Sequence, residues 1–417
     1  MWNVGRCRAI DIAIRFLCGV SRDAFSFRIP HSAFRNRMKV ILAGGGTGGH
    51  LFPALAVGEV LQERGHEVII FISEKDVDAL ATKDRTEFRF EKLPGIGMPK
   101  LLSPAIFSFL KRFNEGLRPA RELYKKFEPD AVLGMGGFTS TAPILAGRLR
   151  KIPTFVHESN AIPGKANKLN ARMCDAVLLG FKECAKFFPR SRCEVTGTPI
   201  RKSLAQRVPR EEALAAFGLV PDRQTLLVMG GSQGARGINE ALIKALPLLK
   251  DLPLQIIHLT GAQDEQLVNA NYRREGIPAY VAAFCHQMER AYSAADVAIS
   301  RSGAASLSEL SYFGLCPLLI PYPHAAENHQ ALNAEIFERS GAALVLDQAA
   351  VTPETLARKV RSLLENPERL RGMSERAREL APQNAAARVV DVIENFVREK
   401  EALSASAGRA PKPNAIF

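Results

Sequence analysis

Lys39-Val40-Ile41-Leu42-Ala43-Gly44-Gly45-Gly46-Thr47-Gly48-Gly49-His50 (KVILAGGGTGGH) is the stretch whose reading decides the fold. Lys39–Ala43 is short, apolar and rich in β-branched residues, and it ends at glycines, as a buried parallel strand does. Leu51, Leu55, Val57 and Leu61 then recur at helical spacing, and Gly65 supplies a stop. Val68–Ile72 reads as the next strand, which completes a strand–loop–helix–strand unit with a glycine loop at its first turn. Working outward, Ala131–Leu133, Thr154–Val156 and Ala176–Leu179 read as strands, with helices around Pro119–Phe127, Pro143–Leu149 and Gly164–Ala171. After Gly197-Thr198-Pro199 the order returns: strand Leu226–Met229, glycine loop Gly230–Gly234, helix Asn239–Leu249, then strands Gln255–Leu259, Tyr280–Ala282, Val297–Ser300 and Leu318–Ile320. Strands alternating with helices predict an α/β fold of parallel sheets covered on both faces. Two doubly wound, Rossmann-like halves are expected to face each other across a cleft, with ligands beyond the carboxyl ends of the strands.

The chain has 417 residues, 47% hydrophobic and 24% charged, which is ordinary globular composition and excludes collagen-like, disordered and coiled-coil classes. The seven cysteines (Cys7, Cys18, Cys174, Cys184, Cys193, Cys285 and Cys316) are odd in number and form no CxxC pair, which argues against a disulfide framework and for a reducing cytoplasm. The net charge is +13. Residues 1–37 carry seven arginines against Asp11 and Asp23, a net of +5, which leaves +8 for the remainder. A basic balance suits nucleic acid, an anionic membrane or a phosphorylated ligand, or serves solubility alone. Basic residues are dispersed and aromatics are 7%, so a nucleic-acid platform is not expected. No apolar run approaches a spanning length. Met38 precedes the first strand, and residues 1–37 read as a mistranslated leader or a disordered extension.

Gly44–Gly49 satisfies GxGxxG in the setting that phosphate binding requires, between a strand and a helix. With Glu74 as a ribose acid it also permits a dinucleotide (NAD-dependent oxidoreductase) reading, and a tight turn is the plain alternative. Gly230-Gly231-Ser232-Gln233-Gly234 matches GxSxG, and Asp296 or Glu309 followed by His324 or His329 would complete a hydrolase triad. A second anion-binding loop explains both halves together. Ser300–Ala304 precedes a helix containing Glu309, a carboxylate placed to accept two ribose hydroxyls or merely to complement the helix dipole. His324 and His329 flank Glu327 without metal-ligand spacing, so no protein-held metal is expected. Pro99–Phe113 carries Leu101, Leu102, Ile106, Phe107, Phe109 and Leu110 flanked by Lys100, Lys111 and Arg112. That pattern reads as a patch for an anionic bilayer interface or as a buried helix.

GGGTGGH (44–50), GMGGFTS (134–140), HESNAIPGKANK (157–168), GTPIR (197–201), GGSQGARGIN (230–239) and SRSGAASLSEL (300–310) occur in this order. Together they resemble the MurG family of GT-B glycosyltransferases over about residues 38–398. The resemblance implies transfer of N-acetylglucosamine from UDP-N-acetylglucosamine to undecaprenyl-diphospho-muramoyl-pentapeptide by a peripheral enzyme on the cytoplasmic face of the inner membrane, with no cofactor. It implies an acceptor and membrane half at 38–198, a nucleotide-sugar half at 199–379 and a helix at 380–398 crossing back to the first half, with 399–417 a disordered tail. Carried over by motif, Thr47, Gly48 and Gly49 face the donor, and Gly45, Gly46, Gly136 and Gly137 the acceptor diphosphate. Asn160 and Gln330 contact the donor sugar. Arg201, Ser232, Gln233 and Gly234 hold its diphosphate. Cys285 meets uracil through its backbone, and Ala304, Ala305, Ser306, Leu307, Ser308 and Glu309 wrap the nucleotide. His50 is the expected base for the acceptor hydroxyl, because an imidazole of ordinary pKa near 6.5 is neutral near neutral pH. Phe138, Ser159 and His329 depart from the family pattern. A UDP-N-acetylglucosamine 2-epimerase would share fold and donor, and a non-enzymatic binder of lipid diphosphates would bind without turnover.

Overall fold

β-branched and leucine-rich strands, buried in the middle of each sheet, build two separate parallel sheets. In the computed structural model residues 37–407 are described, apart from 76–77, 80–81, 84, 95–104, 232–233 and 382. The first sheet is formed by β1 Lys39–Ala43, β2 Glu67–Ser73, β3 Arg89–Leu93, β4 Ala131–Gly134, β5 Thr154–Glu158, β6 Ala176–Leu179 and β7 Cys193–Val195, in the order β3-β2-β1-β4-β5-β6-β7. The second contains β8 Gln224–Met229, β9 Leu254–Leu259, β10 Ala279–Ala282, β11 Val297–Ser300, β12 Cys316–Leu319 and β13 Leu344–Val345, in the order β10-β9-β8-β11-β12-β13. Both orders run outward in opposite directions from the first strand of their half. This places a crevice beyond β1/β4 and another beyond β8/β11, where doubly wound sheets bind ligands.

The helices are α1 Gly48–Glu63, α2 Ala105–Phe127, α3 Thr141–Leu149, α4 Lys165–Asn170, α5 Lys202–Ala205, α6 Arg210–Ala215, α7 Arg236–Ala245, α8 Glu265–Glu275, α9 Met288–Ala294, α10 Ala304–Phe313, α11 His329–Arg339, α12 Pro353–Leu364, α13 Pro367–Glu379 and α14 Ala385–Ala407. They cover each sheet on both faces. Val40 and Leu42 point into one core with Leu51 and Leu55 of α1, whereas Ile41 and Ala43 point into the opposite core with Leu117 and Tyr124 of α2. α14 packs on the first half: Val389, Val390, Ile393 and Val397 join the core of β1. Arg64 bonds Asp391 at 2.7 Å, and His66 Nε2 lies 2.8 Å from Glu394.

Three strands escape the sequence pattern for physical reasons. β3 (RFEKL) is a charged edge strand, as solvent-facing edges tend to be, and β7 and β13 have only three and two residues. α2 begins at Ala105 and runs through Pro119, which the sequence had suggested as its start. α7 starts three residues early and yields to a 3-10 turn at Leu246–Leu248, where Pro247 cannot donate an amide. α14 continues past residue 398 through Ala407, so the expected tail is helical at least that far. Residues 1–36 and 408–417 lie outside the described residues, and with them the readings of the leader and the last ten positions. Among the described residues no helix is long and apolar enough to cross a membrane.

Candidate active site

The site is assembled from loops at the carboxyl ends of strands in both halves. After β1 the chain makes the Gly44–Thr47 loop and enters α1, with Thr47 as its N-cap residue. Thr47 and Gly49 are exposed and Gly48 and His50 half-buried, so this outer part of the loop is open to a ligand. Gly45 is buried, and the Gly46 N–H donates to Asp78 Oδ2 at 2.7 Å. That amide is therefore already engaged by a side chain.

The imidazole of His50 lodges against the loop after β4. A Cβ on Gly136 would lie 2.8 Å from His50 Cδ2, and one on Gly137 would lie 3.3 Å from His50 Nδ1, so these two glycines seat the ring. Thr47 Oγ1 is 3.2 Å from Nδ1. Burial lowers the His50 pKa from 6.5, partly offset by the carboxylates of Glu158 and Asp78 and by a backbone hydrogen bond to Gly45, with His329 lowering it further. The neutral, proton-accepting form is favoured at neutral pH.

After β5, the buried Glu158 organises the 158–167 loop. Its Oε1 accepts from the Asn160 N–H (2.9 Å) and Nδ2 (3.0 Å), and its Oε2 from the Gly164 N–H (3.1 Å) and Asn167 Nδ2 (2.8 Å). His157 beside it is buried, with Nε2 2.9 Å from the Gly197 carbonyl, and burial lowers its pKa. Asn160 is reached from the other half. Asn333 of α11, fully buried, donates Nδ2 to Asn160 Oδ1 (3.1 Å) and to the Ser302 carbonyl (3.0 Å), and accepts the Ala161 N–H (2.9 Å). One side chain thus ties the Asn160 loop to the loop after β11. Phe181 packs against Phe337 of α11, with ring centroids 6.5 Å apart.

In the second half, Glu309 lies inside α10, buried, where its Oε2 accepts from the Tyr292 hydroxyl at 2.6 Å. Arg201 Nη2 is 4.0 Å from Glu309 Oε1. Burial raises the Glu309 pKa, with Arg201 and the Tyr292 hydrogen bond opposing. The Arg201 guanidinium also lies 4.2 Å over the ring of Phe52, two residues beyond His50, and its Nε is buried without a partner. Arg201 therefore touches both halves and keeps an unspent donor. Ala304 and Leu307 are buried, the latter in the core, whereas Ala305 and Ser306 are half-buried in the first turn of α10. Gln330 is fixed by its Oε1 accepting the Tyr322 N–H at 2.9 Å and its carbonyl accepting the Ser302 hydroxyl at 2.7 Å. Cys285 is buried after β10 with its thiol pKa raised by burial, which fits a backbone role better than thiol chemistry. Gly234 precedes α7, whose first amides lack intrahelical partners. Ser232 and Gln233 lie outside the described residues, as do Leu101 and Leu102. For Ile106, Phe107, Phe109 and Leu110 the helical backbone alone is described, and the adjoining Lys111 and Arg112 are exposed.

Asp78, Asn333, Phe52 and Tyr292 were not found from sequence. None sits in a glycine motif, and each reaches the site only through tertiary contact. Glu158 lay within a quoted motif, but nothing in the spacing revealed its four hydrogen bonds.

Two doubly wound halves with a glycine loop at each switch point, and an arginine that faces a carboxylate of one half and stacks on an aromatic ring of the other, define a two-domain α/β enzyme with a cleft suited to a phosphorylated ligand. Residues 40–179 match the N-terminal domain of glycosyltransferase family 28 and residues 225–394 its C-terminal domain, and the chain belongs to this family. A Geobacter sulfurreducens protein named UDP-N-acetylglucosamine--N-acetylmuramyl-(pentapeptide) pyrophosphoryl-undecaprenol N-acetylglucosamine transferase is 38% identical over 368 residues, covering 87% of this chain and 100% of that protein. A Syntrophotalea carbinolica protein of the same name is 40% identical over 371 residues, covering 86% of this chain and 99% of its own. Among solved structures, Acinetobacter baumannii MurG superposes with a TM-score of 0.67 at 31% identity, covering 86% of this chain and 99% of that one.

Proposed function

We propose that this chain transfers N-acetylglucosamine from UDP-N-acetylglucosamine to the 4-hydroxyl of undecaprenyl-diphospho-N-acetylmuramoyl-pentapeptide, with inversion at the anomeric carbon. One observation carries the reading: Arg201 contacts both Glu309 of the nucleotide half and Phe52 on the helix that bears His50. This contact supports a reading in which the leaving-group clamp and the base serve one cleft. In the reaction His50 takes the proton of the 4-hydroxyl as its oxygen forms the bond to the anomeric carbon. The bond from that carbon to the diphosphate breaks, and UDP leaves with the electron pair. Arg201 and the amides at the start of α7 stabilise the charge that develops on the diphosphate. UDP is a good leaving group once its charge is held, so the carboxylate pair of a glycosidase is not required. Glu309 accepts the ribose hydroxyls, and Asn160 and Gln330 orient the sugar. The exposed Lys111 and Arg112 suit approach to an anionic surface on the cytoplasmic face, where the lipid-linked acceptor resides.

The test is incubation with labelled UDP-N-acetylglucosamine, with and without the lipid-linked acceptor. UDP release and labelled lipid that both require acceptor are the expected result. Release of UDP together with altered free sugar in the absence of acceptor would indicate an epimerase. Binding without release would indicate a carrier of lipid diphosphates, and either outcome overturns the reading.

A further inference from the structure

Asp78 stands in the segment after β2, outside every glycine motif, with its side chain fully buried. Its Oδ2 accepts three hydrogen bonds: from the Gly46 N–H at 2.7 Å, the Ser73 N–H at 2.9 Å and the Ser73 hydroxyl at 2.6 Å. Its Oδ1 is buried with no partner. An unpartnered buried carboxylate oxygen is costly, and a purely structural brace could be built from a neutral side chain. The cost points to a use for the charge.

The use follows from which peptide is held. The Gly46 N–H and the Gly45 carbonyl belong to one planar peptide group and point in opposite directions. Asp78 grips the N–H end. The carbonyl end faces the imidazole: a Cβ on Gly137 would have His50 Nδ1 at 3.3 Å and the Gly45 oxygen at 3.7 Å. The Gly45 backbone raises the His50 pKa, as a carbonyl on the imidazole side does, and Thr47 Oγ1 lies 3.2 Å from Nδ1. A side chain at Gly45 is excluded, because its Cβ would lie 2.6 Å from Asp78 Oδ2, and Gly46 adopts φ +96°, which sets the plane of this peptide.

We infer that Asp78 is the positioning residue of His50, acting through the Gly45–Gly46 peptide as a bridged carboxylate–peptide–histidine relay. The carboxylate polarises the peptide, so the Gly45 oxygen becomes a stronger acceptor. The ring nitrogen that donates to it keeps the proton, and the other nitrogen is left as the proton acceptor. Asp78 thus fixes both the ring orientation and the tautomer, as a directly bonded carboxylate does in a hydrolase triad. The inference rests on the proposed role of His50 as base.

Several charged groups surround the imidazole. Asp78 and Glu158 raise its pKa and His329 lowers it, while His157 is electrostatically coupled to it, and the Lys75 ammonium lies 3.3 Å from the Gly46 carbonyl. Removing the Asp78 charge therefore lowers the His50 pKa, so the acid limb of the turnover profile moves to lower pH.

The test measures transfer at saturating donor and acceptor across pH for the wild type, Asp78→Asn, His50→Ala and the double variant. Asp78→Asn keeps an oxygen for the Gly46 N–H and removes the charge. It is expected to lower kcat about ten-fold, less than the roughly 10²–10⁴-fold of losing the base itself, because the imidazole remains. The acid limb should shift downward and the donor KM stay within about two-fold, because the second-half nucleotide contacts are untouched. In the His50→Ala background the same substitution is expected to change kcat no further, since the two act as one unit. An unshifted acid limb in Asp78→Asn, whether or not kcat and thermal stability fall, overturns the relay while leaving the base assignment intact. Undiminished turnover in His50→Ala overturns the base assignment itself.

Discussion

The two glycine loops look alike in sequence and are supported in different ways. The first is braced from behind by a carboxylate: Asp78 accepts the Gly46 N–H, and the half-buried imidazole that follows the loop is seated by Gly136 and Gly137 after β4. The second meets a backbone carbonyl, with a carboxylate, Asp264, set one residue further back behind Asn239. A side chain at Gly234 would collide with the Thr260 carbonyl. That carbonyl accepts Asn239 Nδ2 at 2.9 Å, and Asn239 Oδ1 lies 3.0 Å from His258 Nε2. Because Asn239 spends its Nδ2 on Thr260 and Asp264, its Oδ1 must accept, so His258 donates from Nε2 and receives the Tyr272 hydroxyl at Nδ1 (2.8 Å). A carboxylate behind a loop disfavours an anion there and favours a group that handles protons. Where the carboxylate stands one residue behind the loop and a helix N-terminus adjoins it, the amides stay free for a diphosphate. The difference accords with the proposed reading, in which the first half carries the chemistry and the second binds the nucleotide.

Four substitutions would break or sharpen this division. His50→Ala should cost the most, lowering turnover about 10³-fold in a steady-state transfer assay with little change in donor KM, as loss of a general base does. Glu309→Ala should act on the other half, weakening UDP about 10²-fold in a calorimetric titration, as loss of a charge-assisted hydrogen-bond acceptor does. A turnover loss from Glu309→Ala at saturating donor matching that of His50→Ala would blur the division. Asn333→Ala tests the bridge between the loops. It leaves the Ala161 N–H and Asn160 Oδ1 without their partner, and urea unfolding should show a loss of about 2 kcal/mol. Wild-type stability would mean that Asn333 carries no load across the cleft.

The smallest effect concerns His258, whose pKa burial lowers to about 3. The unfolded chain binds this proton near pH 6.5 and the folded chain does not, so stability falls as pH drops from 6.5 toward 3. Between pH 6.5 and 5.5 this histidine should account for about 1 kcal/mol of lost stability. His258→Gln should flatten the slope by that amount in paired urea titrations, and an unchanged slope would remove His258 as the acid-sensitive brace.

Much of this was legible in the sequence because both sheets announce themselves by apolar strands ending in glycine. Lys39–Ala43, Ala176–Leu179 and Val297–Ser300 have the bounds that the sequence pattern predicts. Glu309 and Arg201 were legible through motif resemblance, and the structure brings them within 4.0 Å of each other. The edge strands were not legible, because β3 alternates charge and β7 and β13 are too short to show a period. Nor were the residues that make the site work as a unit. No sequence pattern marks Phe52, whose ring lies under Arg201, or Asp78, which β2 sets behind the loop. Spacing along a chain reports the element a residue occupies. It does not report which distant group that residue will meet.

The most direct test of the division between the two loops is the UDP dissociation constant of the His50→Ala enzyme, measured beside those of Glu309→Ala and the double variant. The expected result is that His50→Ala binds UDP as tightly as the wild type and that the double variant binds it no more weakly than Glu309→Ala. A His50→Ala enzyme that loses UDP affinity to the same degree as Glu309→Ala would contradict the account, because the first loop would then be a second nucleotide-binding loop.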